Sequence, residues 1–230
     1  PQKRCERSLK LCGFHFARKL HVVLFLAYSF LLTFQVSFQE YKFTRKTKMK
    51  ADTATLDLLF NTARTRNGWM DKSVGVEILH EIWNLTRMGP TSANCSPARI
   101  VFVTSKKAKE KLCPALLEAN VAKAMKAPVS AIIGYDIKFY ERLPQLFPHT
   151  DAMSWFVGNE ELIQTTAFRN GTLQGAYFMM AARALGLDCG PISGFDNAMV
   201  DAIFFPNSAI KSNFICSIGY GNDENLYPRS

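Results

Sequence analysis

The longest helical pattern of the chain covers residues 160–185, and it limits the possible folds more than any other feature of the sequence. Side chains at helical spacing predict one common face, made of Leu162, Thr166, Asn170, Leu173, Tyr177, Met180, Ala181 and Ala184. Gly186 follows directly and is predicted to end this helix. An all-β fold is therefore excluded.

Shorter patterns surround this helix. Apolar spacing predicts helices over residues 53–64, from an N-cap at Ser73 to just before Gly89, over 106–127 with a break near Pro114, and after Asp196. Residues 141–156 indicate an ordered loop or short helices. Strands are predicted at 99–105, 128–135, 187–189 and 213–219. Helices interleaved with three or four strands indicate an α+β or α/β protein.

The positive charge of the chain is concentrated at its start. The formal net charge is +9, from 28 basic and 19 acidic residues. Residues 1–48 hold ten of the basic and two of the acidic residues, which leaves 18 and 17 for the rest. The remaining domain, residues 49–230, is thus nearly neutral, and a general nucleic-acid-binding surface is not expected.

The first 48 residues form a basic and hydrophobic leader with three open interpretations. Residues 22–38 are apolar enough to enter a bilayer, with basic residues on both sides. In the first interpretation these residues are a signal anchor, and in the second a cleaved signal peptide. In the third, the leader precedes the true start of the protein at Met49. The membrane is a partner only in the anchor interpretation.

Cysteine and histidine patterns exclude several kinds of site. The six cysteines form no C-x-x-C pair, so neither zinc nor a disulfide framework is indicated, and a reducing, cytoplasmic location is expected. No histidine has metal-ligand spacing, and no metal is expected. Cys95 has no recognisable partner base and is expected to be a buried or loop thiol. His149, close to Asp151, is a candidate substrate contact.

Polar stretches between the predicted elements carry the candidate chemistry. Residues 64–69 (RTRNGW) place two arginines and a glycine after the first helix, where they can clamp a phosphate. Asn120 and Lys123 lie one turn apart near a helix end, and residues 191–196 place a glycine in a strand-to-helix turn. No dinucleotide-binding glycine motif follows a strand, so redox chemistry would use a differently bound cofactor.

These stretches resemble the nitroreductase family of FMN-dependent oxidoreductases, and most closely its malonic semialdehyde reductase branch. The resemblance spans residues 52–229 and is carried by ARTRNGW (63–69), GPTSANCSPAR (89–99), FYERLPQLFPHTDAMSWF (139–156), TAFRN (166–170), ALGLDCGPISGFD (184–196) and KSNFICSIGYG (211–221). It implies an α+β fold with a central, mostly antiparallel sheet flanked by helices. It also implies an interlocked homodimer with FMN at the interface.

The resemblance further implies a reaction. NADPH or NADH reduces FMN, and flavin N5 passes the hydride to a small aldehyde-acid. In this branch malonic semialdehyde becomes 3-hydroxypropanoate during pyrimidine degradation, an aldehyde/alcohol oxidoreductase reaction. There are two alternatives. One is a nitroaromatic or quinone reductase, and the other is a flavin-fold protein without catalytic activity.

The same resemblance assigns roles to residues of this chain. Arg64, Thr65, Arg66 and Gly68 match the group that binds the FMN phosphate and ribityl chain, and Arg229 matches a late phosphate contact. Asn120 and Lys123 match contacts to the pyrimidine edge, and Ser193 and Gly194 match the turn at flavin N5. The loop usually supplied by the partner subunit matches Pro90, Thr91, Ser92 and Asn94.

Three departures from the family pattern concern this site. Arg66 and Gly68 stand where the commoner version carries a serine and a second basic residue, and Ser193 stands where an acidic residue is usual. The chain stops at Ser230, whereas family members continue. A truncated C-terminus is expected to weaken the hold on the phosphate or on the dimer.

Overall fold

A computed structural model describes residues 50–229, so residues 22–38 and the rest of the leader lie outside the described part. Seven α-helices occur in this part: α1 Thr53–Leu56, α2 Val76–Thr86, α3 Lys106–Leu112, α4 Glu118–Lys126, α5 Leu143–Leu146, α6 Glu160–Ala184 and α7 Asn197–Phe204. None of the described helices is long and apolar enough to cross a membrane.

The strands form one central sheet and one small sheet. β2 (Ala98–Val103), β3 (Val129–Asp136), β5 (Ile210–Gly219) and β4 (Asp188–Ile192) lie side by side in that order. Every neighbouring pair is antiparallel. β1 (Gly68–Trp69) and β6 (Gly221–Asn222) form a separate antiparallel pair. The predicted antiparallel sheet flanked by helices is therefore confirmed.

Side chains alternate along the central strands and build a core on each face of the sheet. Ile133 and Ile218 pack on one face with Ile82 of α2 and Phe178 of α6. On the opposite face, Ile132 and Ile215 join the apolar residues of α3, α4 and α7, which include Leu112, Ala124 and Val200. Helices thus cover both faces of the sheet in the described part of the chain.

The long helix α6 begins and ends close to its predicted limits. The Asn159 side chain accepts a hydrogen bond from Leu162 N at 3.1 Å and caps its first turn. The predicted face is only partly correct, because Thr166, Asn170 and Ala181 are buried while Leu162, Leu173 and Tyr177 are 39–47% exposed. The buried face lies one position further along, at Ile163, Ala167 and Phe178.

Two other helix limits differ from the sequence prediction. α2 is capped by the extended residue Gly75 and not by Ser73, and no side chain caps it. The first helix leaves α geometry at Asp57 and continues as a π-helical turn to Asn61, short of Arg64. Residues 139–155 form short helical segments, as predicted.

Candidate functional site

The predicted basic turn, residues 64–67, docks against the free edge of β4. Thr65 forms a parallel bridge with Cys189, and Arg66 N–H donates to Cys189 O at 2.9 Å. β1 follows immediately and places the buried Trp69 beside α4, where its indole Nε1 donates to Lys123 O at 3.2 Å. The turn is therefore fixed between the central sheet and α4.

Arg66 is held by two carboxylates. Its Nε lies 3.3 Å from Oδ1 of Asp188, and its Nη1 lies 2.6 Å from Oδ1 of Asp223. Nη1 also donates to Asn222 O at 3.1 Å. Partial burial opposes the charge of Arg66, but the hydrogen bond to Asp223 and the charge of Asp188 outweigh it and raise the pKa of the guanidinium.

Residues 221–229 run antiparallel along the basic turn, and we call them the strap. Gly68 pairs with Asn222 in the small sheet, Asn67 Nδ2 donates to Asn225 O at 3.1 Å, and Arg64 Nη2 donates to Tyr227 O. A Cβ on Gly68 would stand 2.0 Å from the Asn222 side chain, so glycine permits this close approach.

A cavity of about 330 Å³ opens between the strap and α4. Its lining residues come from the turn, the helix and the strap: Asn67, Ala119, Asn120, Ala122, Lys123, Lys126, Glu224, Asn225 and Tyr227. Two of these residues form an ion pair, with Lys126 Nζ 2.9 Å from Glu224 Oε1. Among the described residues, Lys123 has no ion-pair partner within 4 Å, and burial lowers the pKa of its ammonium.

The predicted turn at Gly194 meets the same helix. Asn120 Nδ2 donates to Gly194 O at 2.9 Å, and Leu117 N donates to the same oxygen at 3.0 Å. A Cβ on Gly194 would stand 2.7 Å from Asn120 Nδ2, so this position has room for hydrogen only. Ser193 beside it is exposed. Two predicted parts of the site, far apart in sequence, are thus in contact.

The predicted loop of Pro90, Thr91, Ser92 and Asn94 has a different setting. Ser92 N donates to Oδ1 of buried Asn170 at 2.9 Å, and Asn94 Nδ2 donates to Leu146 O at 2.9 Å. The backbone is left-handed at Ala93, Asn94 and Ser96, with φ of 48°, 50° and 38°. Residues other than glycine rarely adopt this conformation, and the loop is locally strained.

This loop and the basic turn lie at opposite edges of the central sheet. The loop leads into β2 at one edge, whereas Thr65 pairs with β4 at the other. Three strand spacings of about 4.8 Å separate the edges by roughly 14 Å. One copy of the chain therefore places Arg64, Thr65, Arg66, Gly68, Asn120, Lys123, Ser193 and Gly194 on the β4 side of the sheet, where Asn120 and Lys123 are the two of these eight that line the cavity. Pro90, Thr91, Ser92 and Asn94 lie at the other edge.

Arg229 lies at the end of the first helix. Its guanidinium donates to Phe60 O at 3.1 Å and to Asn61 O. It is not one of the described residues that line the cavity. The carbonyl oxygens at a helix end carry partial negative charge, which suits this contact.

The remaining candidate residues are His149 and Cys95. His149 is exposed and lies edge-on to Phe147, with ring centroids 5.2 Å apart. Cys95 is buried, as predicted, and burial raises the pKa of its thiol to about 11, against a weaker opposing hydrogen bond with Thr91. The described cysteines are free, and no cluster of metal-ligating side chains occurs among the described residues.

The sequence prediction missed five polar residues of the cavity: Asn67, Lys126, Glu224, Asn225 and Tyr227. Lys126 had a readable signal, because it follows Lys123 by three positions and lies on the same helix face. Glu224 and Tyr227 had none, since the strap reaches the cavity through contacts with residues about 100 or more positions away in sequence.

Solved structures share this architecture. A protein from Exiguobacterium sibiricum, named a nitroreductase and solved in complex with FMN, has a TM-score of 0.68 and 20% identity, covering 80% of this chain and 95% of its own. ydfN of Bacillus subtilis has a TM-score of 0.68 and 22% identity, covering 78% and 94%. The fold is therefore that of the nitroreductase class of α+β proteins.

Sequence comparison shows the family itself. Residues 65–220 match the model of the Nitroreductase family. A protein of Burkholderia lata is 60% identical over 177 residues, covering 77% of this chain and 91% of the relative. HadB of Ralstonia pickettii is 60% identical over 183 residues, covering 77% and 93%. Both carry NADH dehydrogenase/NAD(P)H nitroreductase in their names. This chain belongs to the Nitroreductase family.

Proposed function

We propose that the protein is an FMN-dependent oxidoreductase that uses NADPH or NADH. The observation that carries this proposal is the convergence on one cavity of Asn67, which ends the basic turn just before β1, with Asn120 and Lys123 of α4. Family membership and an FMN complex of a protein with the same fold support it. When bound, FMN supplies hydride transfer through N5 between the nicotinamide and the acceptor.

The donor set fits the chemistry of FMN. Arg64, Thr65, Arg66 and Gly68 would hold the phosphate and ribityl chain, because guanidinium groups bind phosphate bidentately. Asn120 offers an amide and Lys123 an ammonium, which favours negative charge at the pyrimidine edge. Ser193 and Gly194 would place a backbone donor near N5. Arg229 would assist at the phosphate only after leaving its contacts with Phe60 and Asn61.

We further propose a homodimer whose partner supplies the loop of Pro90, Thr91, Ser92 and Asn94. The loop lies across the sheet from the basic turn of its own copy, so a second copy is needed to complete the site. α6 also exposes Phe168, Leu173 and Tyr177 by 42–48%. Exposed apolar side chains along one helix are typical of an interface.

The proposed acceptor is a small aldehyde-acid, malonic semialdehyde, reduced to 3-hydroxypropanoate in the cytoplasm. This proposal rests on the resemblance of the whole domain, with His149 as a candidate substrate contact. A nitroaromatic or quinone acceptor is the second candidate. It is favoured by the exposed Trp155, whose ring centroid lies 6.3 Å from that of Phe147, beside His149.

The test is to purify the full chain and residues 49–230, record flavin absorbance, and follow NADPH and NADH oxidation. We expect bound flavin in both proteins and faster turnover with malonic semialdehyde than with a nitroaromatic or a quinone. Reversed acceptor preference would favour the second candidate. Bound FMN without turnover would indicate a non-catalytic flavin-fold protein, and a colourless protein that FMN cannot reconstitute would overturn the proposal.

A further inference from the structure

The strap occupies both arginines of the basic turn. Arg64 donates to Tyr227 O, and Arg66 donates to Asn222 O and to the carboxylate of Asp223. These are the donors that a phosphate ester would use in the proposed function. Strap and ligand therefore require the same groups.

The two carboxylates on Arg66 differ in how firmly they are held. The Asp188 side chain is 32% exposed, its backbone begins the edge strand β4, and its Oδ2 also accepts the N–H of Gly221, the first residue of the strap, at 2.9 Å. The Asp223 side chain is 86% exposed, and Arg66 is the partner that the structure shows for it among the described residues. Asp223 can thus leave Arg66 without breaking another side-chain contact.

We propose that Asp223 is an internal competitor for the phosphate group of the ligand, and that the strap must release Arg66 before a phosphate ester binds there. The inference rests on the proposed function, which places FMN at the basic turn. Asp188 is then the positioning residue, because it keeps Arg66 in place after Asp223 leaves.

Charge explains the direction of this exchange. A phosphate monoester carries nearly two negative charges and can accept several hydrogen bonds, whereas Asp223 offers one charge at an exposed position. Asp223 and the phosphate compete for Arg66, so each weakens the binding of the other by the same factor. Removing Asp223 must therefore tighten phosphate binding, and bound phosphate must loosen the strap.

The first experiment measures ligand affinity in the full-length chain with Asp223→Asn. FMN and riboflavin are titrated by flavin fluorescence, since riboflavin lacks the phosphate. We expect about fivefold tighter FMN binding and an unchanged riboflavin affinity. Glu141→Gln removes an exposed carboxylate paired with Lys138 and controls for net charge. Equal or weaker FMN binding by the Asp223 variant, or an equal gain for riboflavin, would overturn the proposal.

The second experiment follows amide hydrogen exchange of the strap in the wild type. Adding inorganic phosphate, against chloride at equal ionic strength, is expected to speed exchange over residues 221–227. Slower or unchanged exchange would contradict the competition. This second experiment distinguishes failure of the proposed function from failure of the inference. If neither flavin binds, the proposed function is wrong. The response of the strap to phosphate then still decides whether Asp223 competes with phosphate.

Discussion

The basic turn and the loop of residues 90–96 are both predicted to contact the cofactor, yet their structures differ. The turn is saturated with internal contacts: Arg66 has three acceptors, and strap pairing covers its open side. The loop holds three left-handed residues other than glycine, and it exposes Pro90, Ser92 and Asn94. One region is complete within a single copy, and the other is shaped to present side chains outward.

The difference shows that the two regions are held in place in different ways. The turn gains its geometry from hydrogen bonds to β4 and the strap. The loop depends on buried Asn170, which receives Ser92 N–H and donates to Thr166 O at 2.8 Å. The strain of a left-handed backbone persists only where surrounding contacts impose it. Asn170 therefore ties the loop to α6.

Arg64→Ala is expected to have the largest effect, and it tests the turn. Loss of a charged set of hydrogen bonds should weaken FMN binding by about 3 kcal/mol, on the order of a hundredfold. Flavin titration measures it, with exposed Arg142→Ala as the control. Unchanged flavin retention would remove Arg64 from the site.

Asn170→Leu tests the loop. The substitution keeps the side-chain size but leaves Ser92 N without its acceptor, so we expect the free energy of unfolding to fall by about 2 kcal/mol. Urea denaturation measures this, and Asn84→Leu on the exposed side of α2 is the matched control. Equal stability of the two variants would show that Asn170 does not hold the loop.

Lys123→Met tests the charge of the cavity. We expect FMN affinity to fall by about 1 kcal/mol, near fivefold, because the ammonium group is lost. Because burial lowers the pKa of Lys123, wild-type affinity should decline with rising pH earlier than it would for an exposed lysine. Titrations across alkaline pH measure both curves. A similar decline in the variant would exclude Lys123 as its origin.

Labelling of Cys95 tests the burial of the loop, and no change in FMN binding is involved. A pKa of about 11 leaves roughly one thiolate in a thousand at pH 8. Iodoacetamide should therefore label Cys95 at least tenfold more slowly than the half-buried Cys113 in native protein, as measured by peptide mass spectrometry. Equal rates would indicate that the loop opens.

Local patterns predicted most of the helices and strands, and two of the residues that line the cavity, Asn120 and Lys123. Asn120 and Lys123 could be predicted because their spacing on one helix face depends on nearby sequence alone. The ion pairs of Arg66 were not, since Asp188 and Asp223 lie 122 and 157 positions away. The cap of α2 was mispredicted because Ser73 has the better side chain, whereas the backbone turns at Gly75.

The antiparallel strap also sets the order of events during synthesis. Arg64 and Tyr227 are separated by 163 positions, so one wall of the cavity leaves the ribosome long after the other. At the usual pace of translation, the interval is on the order of 10–30 s. The nascent domain can form α1 to α4 during this time with its cavity open on one side. The strap thus completes the cavity after its other walls have been made.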